Sequence, residues 1–161
     1  SYVVLGAGFF TTQKSQETIY KGVEQSTSNI KMVGSLYGIN STQSATDPLI
    51  DELQFTLGLA PGASSVDLSK MTIVYSTSST APVIYTHSTN ASVTSFNTTL
   101  ASTGAATETM SAQDQVKVTL YVTPSLSKNT PLTLELRPSV GAALPFSKTT
   151  PATINIVNTL Y

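Results

Sequence analysis

The chain has 161 residues, a formal net charge of −1, no cysteine, and charge on only 11 % of its positions. That length fits one domain, or one domain with an appendage. Its eight Lys and Arg are scattered, which excludes a phosphate-binding face and a steering field for nucleic acid or an anionic membrane.

Ser and Thr take the place of charge, with 22 Ser and 26 Thr. A hydroxyl-solvated surface without thiols suits an extracellular protein not built on disulfides. Residues 2–10, Tyr-Val-Val-Leu-Gly-Ala-Gly-Phe-Phe, are almost purely apolar. The run is too short for a membrane span, which needs roughly 20 such residues. It lacks a basic leader and so is not a whole signal peptide. It reads as the downstream end of a longer apolar helix. Phe9, Thr12, Gln16, Ile19, Val23, Ser26 and Ile30 follow at spacings that line one helical stripe. Glu17 and Lys21 form a pair in the favoured order. The pattern predicts a helix over about 2–27, fading at Ser26-Thr27-Ser28-Asn29, which prefer caps and turns. Gly6 and Gly8 either permit close helix approach or loosen the end of the segment.

From Ile30 the period becomes two, with Ile30, Met32, Gly34 and Leu36 on one face. A polar loop, Asn40 to Pro48, comes next. Strands are then expected at Leu53–Leu59, Met71–Tyr75, Val83–Tyr85, Val93–Phe96, Val116–Val122 and Leu132–Leu136. Residues 101–112 read as an exposed loop, and Pro124 to Pro131 as a hairpin connection between the two longest strands. In the last strand Ile154, Ile156 and Asn158 are expected to share a face. Regularly spaced short strands with Gly, Pro and Ser between them indicate a β-sandwich. The division is an N-terminal helix over 1–28 and a β head over 29–161.

The run Val3-Val4-Leu5-Gly6-Ala7-Gly8-Phe9-Phe10-Thr11-Thr12-Gln13-Lys14-Ser15 resembles the second half of the amino-terminal helix of an archaellin, the archaeal flagellin. Asp67-Leu68-Ser69-Lys70-Met71-Thr72-Ile73-Val74-Tyr75, Leu132-Thr133-Leu134-Glu135-Leu136-Arg137-Pro138 and the stretch from Gly141 to Ile154 extend the resemblance along the chain. It implies a mainly β fold with one long N-terminal α-helix, an immunoglobulin-like sandwich head on a type IV pilin-like helix. It also implies processing by a prepilin-type peptidase and a membrane association that lasts only until assembly. The role implied is structural: copies of the chain, or closely related subunits, build an extracellular motility filament from bundled helices with the heads outside. Val3, Val4, Leu5, Phe9, Phe10, Ile19 and Val23 are the assembly residues in this reading. Further apolar residues are expected upstream of Ser1. The rival readings are an adhesion pilin, an immunoglobulin-like domain of a surface layer or adhesin, and a secreted sandwich hydrolase.

Asn40-Ser41-Thr42, Asn90-Ala91-Ser92 and Asn97-Thr98-Thr99 are N-glycosylation sequons, with Asn97 and Asn40 favoured as residues of exposed loops, although sequons also arise by chance in a chain so rich in Ser and Thr. Archaellins are commonly glycosylated, so the resemblance favours occupancy. Asp47, Asp51, Glu52 and Asp67 are the one acidic grouping. They lack EF-hand spacing, so a solvated loop is the plainer reading, with a structural cation left unassigned and no cofactor expected. His87 is the sole histidine. It lies in a Ser- and Thr-rich stretch without a nucleophile-elbow motif and reads as an exposed polar residue. Asp51 and Glu135 as a glycosidase pair have nothing to mark them. Tyr75, Tyr85 and Tyr121 fall in strands, either as core or as contacts between heads.

Overall fold

The computed structural model describes residues 28–161. The expected N-terminal helix and its stripe of Val3, Val4, Leu5, Phe9, Phe10, Ile19 and Val23 lie outside them. The described residues form β1 (Ile30–Ile39), β2 (Ile50–Leu59), β3 (Val66–Asp67), β4 (Thr72–Thr77), β5 (Thr80–His87), β6 (Ser95–Leu100), β7 (Thr109–Met110), β8 (Val116–Leu126), β9 (Pro131–Arg137), β10 (Leu144–Thr149) and β11 (Val157–Thr159). Among them the only helix is a 3-10 turn at Leu68–Lys70. Its preceding residue, Asp67, accepts hydrogen bonds from the Ser69 backbone N–H at 3.0 Å and the Ser69 hydroxyl at 2.6 Å.

Nine strands join in the order β10-β9-β4-β5-β6-β8-β2-β1-β11, and β3 pairs with β7 as a separate ribbon. Every neighbouring pair in the large sheet is antiparallel except β5–β6, which is parallel and holds only Thr86↔Ser95 and His87↔Phe96. The sheet folds over at this short seam, so its two halves face each other. Phe55 of β2 meets Phe146 of β10 edge-on, with ring centroids 5.8 Å apart. The Tyr85 hydroxyl of β5 donates to the Tyr121 carbonyl of β8 at 2.6 Å. The outer edges also meet: Thr149 N–H donates to Tyr161 O at 2.5 Å, and Tyr161 N–H to Thr149 O at 3.1 Å. Strand edges that would template further pairing are thereby partly covered.

Period-two alternation builds one core between the halves. Leu53, Phe55 and Leu57 of β2, Val116, Val118 and Leu120 of β8, and Leu132, Leu134 and Leu136 of β9 are all buried. In β1 the register shifts between Val33 and Tyr37, where β1 advances four residues while β2 moves from Thr56 to Gln54. Two extra residues preserve parity, so Ile30 before the bulge and Leu36 after it both point inward. Gly34 takes φ +78° inside the bulge.

Three expectations change. Pro124 to Pro131 is no hairpin: β8 pairs with β2 and β6, whereas β9 pairs with β4 and β10. Each strand is central in its own half and carries a dry inward row, Val116 to Val122 on β8 and Leu132 to Leu136 on β9. The crossing is held by buried Thr150, whose Oγ1 accepts from Thr130 N–H at 2.7 Å and donates to Ser127 O at 2.7 Å. The 101–112 loop is not wholly exposed, since Met110 is buried in the β3–β7 ribbon. In the last strand Ile154 and Asn158 are buried but Ile156 is half exposed. Asn158 takes its inward place because its amide donates to Gly38 O and Asn155 O, and its oxygen accepts from Asn155 N–H.

Tyr75 and Tyr85 belong to the core. Each is 1 % exposed, and they pack edge-on at 6.4 Å. Burial pushes the Tyr75 phenol up to about 12. The Tyr85 phenol also rises, from burial first and then from its neighbour Tyr75.

Leu120→Ala, at a fully buried site, is expected to destabilise the domain by roughly 2–5 kcal/mol in a denaturant titration. A near-zero change would mean that β8 does not face the core. The phenols give a second expectation. Because they ionise less readily when folded, their contribution is fully present below pH 10 and is lost as pH rises toward about 12. Stability should fall in that window by up to ~1.4 kcal/mol per pH unit for each phenol. Tyr75→Phe should flatten that slope in urea titrations at successive pH values.

Candidate assembly and modification surface

The inward residues leave the odd partner of each pair facing out, and these outer faces are where the head meets its surroundings. On β11, β1, β2 and β8 the registers align Val157, Ile39, Glu52 and Tyr121 in one outward row. Thr159, Tyr37, Gln54, Thr119 and Asn97 form the next, reaching β6. Tyr37 is 40 % exposed, Val157 59 % and Tyr161 67 %. This apolar cluster was not singled out from the sequence, although the odd-numbered positions of β1 and β11 carried the signal.

Glu52 is unusual in this row, being only 9 % exposed. Its Oε2 accepts from Gln54 Nε2 at 2.6 Å, which supplies the hydrogen bond a buried carboxylate requires. No cation joins it: among the described residues the one ion pair is Arg137–Glu135, 2.7 Å apart and largely solvent-exposed. The Glu52 charge is the first cause that holds the Tyr121 phenol above its usual range, followed by burial and by Asp51.

The other carboxylates are dispersed. Asp51 accepts from Ser41 N–H at 2.9 Å and from its hydroxyl at 2.5 Å. Asp47 is exposed, and its own N–H donates to Ser44 Oγ. Asp67 caps the 3-10 turn, and the Ser69 hydroxyl and then the Ser69 N–H hold its carboxyl below the usual value. Among the described residues no three His, Asp or Glu side chains gather into a group able to hold a metal ion.

His87 is neither looped out nor fully exposed. It ends β5, half-buried, with its ring edge-on to Phe96 at 5.5 Å. Its Nε2 lies 2.8 Å from Thr98 Oγ1. The Thr98 hydroxyl donates its only hydrogen to Thr107 O, so Nε2 carries a proton and donates to Thr98. A hydroxyl that receives from the imidazole is the reverse of a nucleophile activated by a base. The His87–Thr98 bond joins β5 to β6, and the Thr98–Thr107 bond ties that seam to the 101–108 loop.

The three sequons sit in different settings. Asn40 is 2 % exposed; its Nδ2 donates to Ser44 O at 3.0 Å and its Oδ1 accepts from Thr42 Oγ1. A folded chain therefore does not offer this amide to a transferase. Asn90 is exposed in the β5–β6 connection. Asn97 lies on β6 between the buried Phe96 and Thr98, so it points outward.

The archaeal-type flagellin family profile matches residues 1–148. Probable flagellin 2 of Archaeoglobus fulgidus is 29 % identical over 164 aligned residues, covering 94 % of this chain and 79 % of the relative. Probable flagellin 1 of the same organism is 52 % identical over 73 residues, but that alignment spans 45 % of this chain and 34 % of the relative. Among solved structures, the chain of the archaeal flagellum of Methanospirillum hungatei strain JF1 is similar over 99 % of this chain and 86 % of that one, at 28 % identity and a TM-score of 0.61. The crystal structure of archaeal flagellin FlaB1 from Methanocaldococcus jannaschii shares the fold, at 15 % identity and a TM-score of 0.66 over 83 % of this chain and 97 % of that one. The nine-stranded head is thus a fold that archaeal flagellins share, and the chain belongs to the archaeal-type flagellin family.

Proposed function

We propose that this chain is a structural subunit of the archaeal motility filament, with residues 1–28 as its assembly segment and 29–161 as its surface head. The observation that carries the reading is the likeness to the archaeal flagellum chain of Methanospirillum hungatei along 99 % of this chain at 28 % identity. The family profile also includes the apolar opening run. The location that follows is the extracellular surface, and the role is structural rather than enzymatic.

In the finer form of the proposal, the opening segment is a type IV pilin-like helix and the head an immunoglobulin-like sandwich. Copies associate through Val3, Val4, Leu5, Phe9, Phe10, Ile19 and Val23. An apolar helix end is marginal alone in water and gains when several pack together. Burying each large side chain contributes on the order of 1.5–3 kcal/mol. Contact with the membrane is transient and precedes assembly. N-glycans on Asn90 and Asn97 complete the picture, supported by the outward setting of both amides. At Asn40 modification would have to precede folding, since the folded amide is buried and bonded.

Phe9→Asp or Val23→Asp should abolish filaments under electron microscopy while the head melts at its usual temperature. An equal loss of head stability would place these residues in the domain core and sink the division at residue 28. Intact-mass and peptide mass spectrometry of native material should show added mass on the peptides that contain Asn90 and Asn97. Unmodified peptides at all three sequons would end the glycan proposal.

A further inference from the structure

The sequon Asn40-Ser41-Thr42 is tied into the fold by all three of its side chains. Asn40 follows β1 directly and is only 2 % exposed. Its backbone N–H donates to Ile156 O at 2.9 Å, and its carbonyl accepts from Gln43 N–H at 3.0 Å, closing a tight turn over residues 40–43. Gln43 ends that turn at φ +54°. The Asn40 amide is used at both of its atoms. Nδ2 donates to Ser44 O at 3.0 Å, and Oδ1 accepts from the Thr42 hydroxyl at 3.0 Å. Ser41 adds its N–H and its hydroxyl to the Asp51 carboxylate of β2. The loop that joins β1 to β2 is therefore fastened to itself, to β2 and to the residue that leads into β11.

Two of these bonds use the groups that define an acceptor site, the amide nitrogen of the Asn and the hydroxyl two residues on. Transfer of a glycan from a lipid-linked phosphate forms a bond between Nδ2 and C1 of the sugar. The C1–O bond to the phosphate breaks, the lipid phosphate leaves with the electron pair, and one Nδ2 proton passes to a base of the transferase. In the folded head Nδ2 lies against Ser44 O and is closed off from solvent, so neither the activated sugar nor the attached ring has room. Asn90, exposed in the β5–β6 connection, and Asn97, outward on β6, are set on the outside of the head.

We propose that Asn40-Ser41-Thr42 is a folding staple rather than a glycan acceptor, and that folding and glycan attachment at Asn40 exclude each other. A chain modified at Asn40 before folding cannot close the loop over residues 40–48, so a glycan there diverts it from the native head. The inference rests on the glycan reading only for the presence of a transferase; the staple stands on the loop geometry. That geometry accounts for the motif itself. A buried Asn at the start of this turn needs an acceptor for Nδ2 and a donor for Oδ1, and Thr42 supplies the donor. Losing either bond leaves a buried amide atom without a partner.

The test has two readouts, both on the full-length chain. Made in a host without a transferase, Asn40→Asp and Thr42→Ala should each melt roughly 3–10 °C below the parent. Thr42→Ser keeps the hydroxyl and should melt like the parent, as should Asn90→Asp and Asn97→Asp. Parent-like melting of both Asn40→Asp and Thr42→Ala would overturn the staple. Made in a host that supplies the transferase and a lipid-linked oligosaccharide, the chain and its Leu120→Ala variant are treated with protease, and resistant and degraded fractions are mapped by peptide mass spectrometry. Asn40 should be bare in the resistant heads, with any glycan on it confined to the degraded fraction. A glycan on Asn40 in resistant heads would overturn the proposal. Bare peptides at all three sequons, beside lowered melting of Asn40→Asp and Thr42→Ala, would uphold the staple and reject the glycan reading.

Discussion

The strict alternation of side chains along each strand is the constraint on which the rest of this head depends. Leu53, Phe55 and Leu57 point inward, so Gln54 and Thr56 have to point outward. A one-residue slip would exchange core and surface along the entire strand. The β1 bulge shows how strictly this is kept: it adds two residues rather than one, and the inward face resumes in phase at Leu36. The outer faces are therefore set by the inner ones. Tyr37, Ile39 and Val157 line up across two strands because Leu36, Gly38 and Asn158 are held inside.

The second constraint is scarcity of charge. With few ionic groups, loops and crossings are secured by hydroxyls and amides. Thr150 bridges the β8–β9 crossing, Thr98 links the seam to the 101–108 loop, Ser69 with Asp67 forms the 3-10 turn, and Asn158 anchors β11 to β1. The sole ion pair among the described residues is a surface one. Such a head is little affected by ionic strength, because neutral hydrogen bonds and apolar burial are hardly screened.

Much of this was legible in the sequence, for reasons that can be named. Strands β2, β8 and β9 announce themselves because each carries three or more large apolar residues at period two. Pairing was not legible: β8 and β9 are adjacent in sequence and look like a hairpin, yet their partners lie far away. Periodicity reports which way a side chain faces but not which strand lies beside it. Ile156, expected on the face of Ile154 and Asn158, and Asn40, expected in an exposed loop, were misread for a related reason. A polar residue can win a buried place when its amide satisfies backbone groups, and that depends on where the chain turns next. His87 looked like surface because its partner, Thr98, is polar and eleven residues away. The stripe from Val3 to Val23 follows a helical spacing in the sequence and lies outside the described residues.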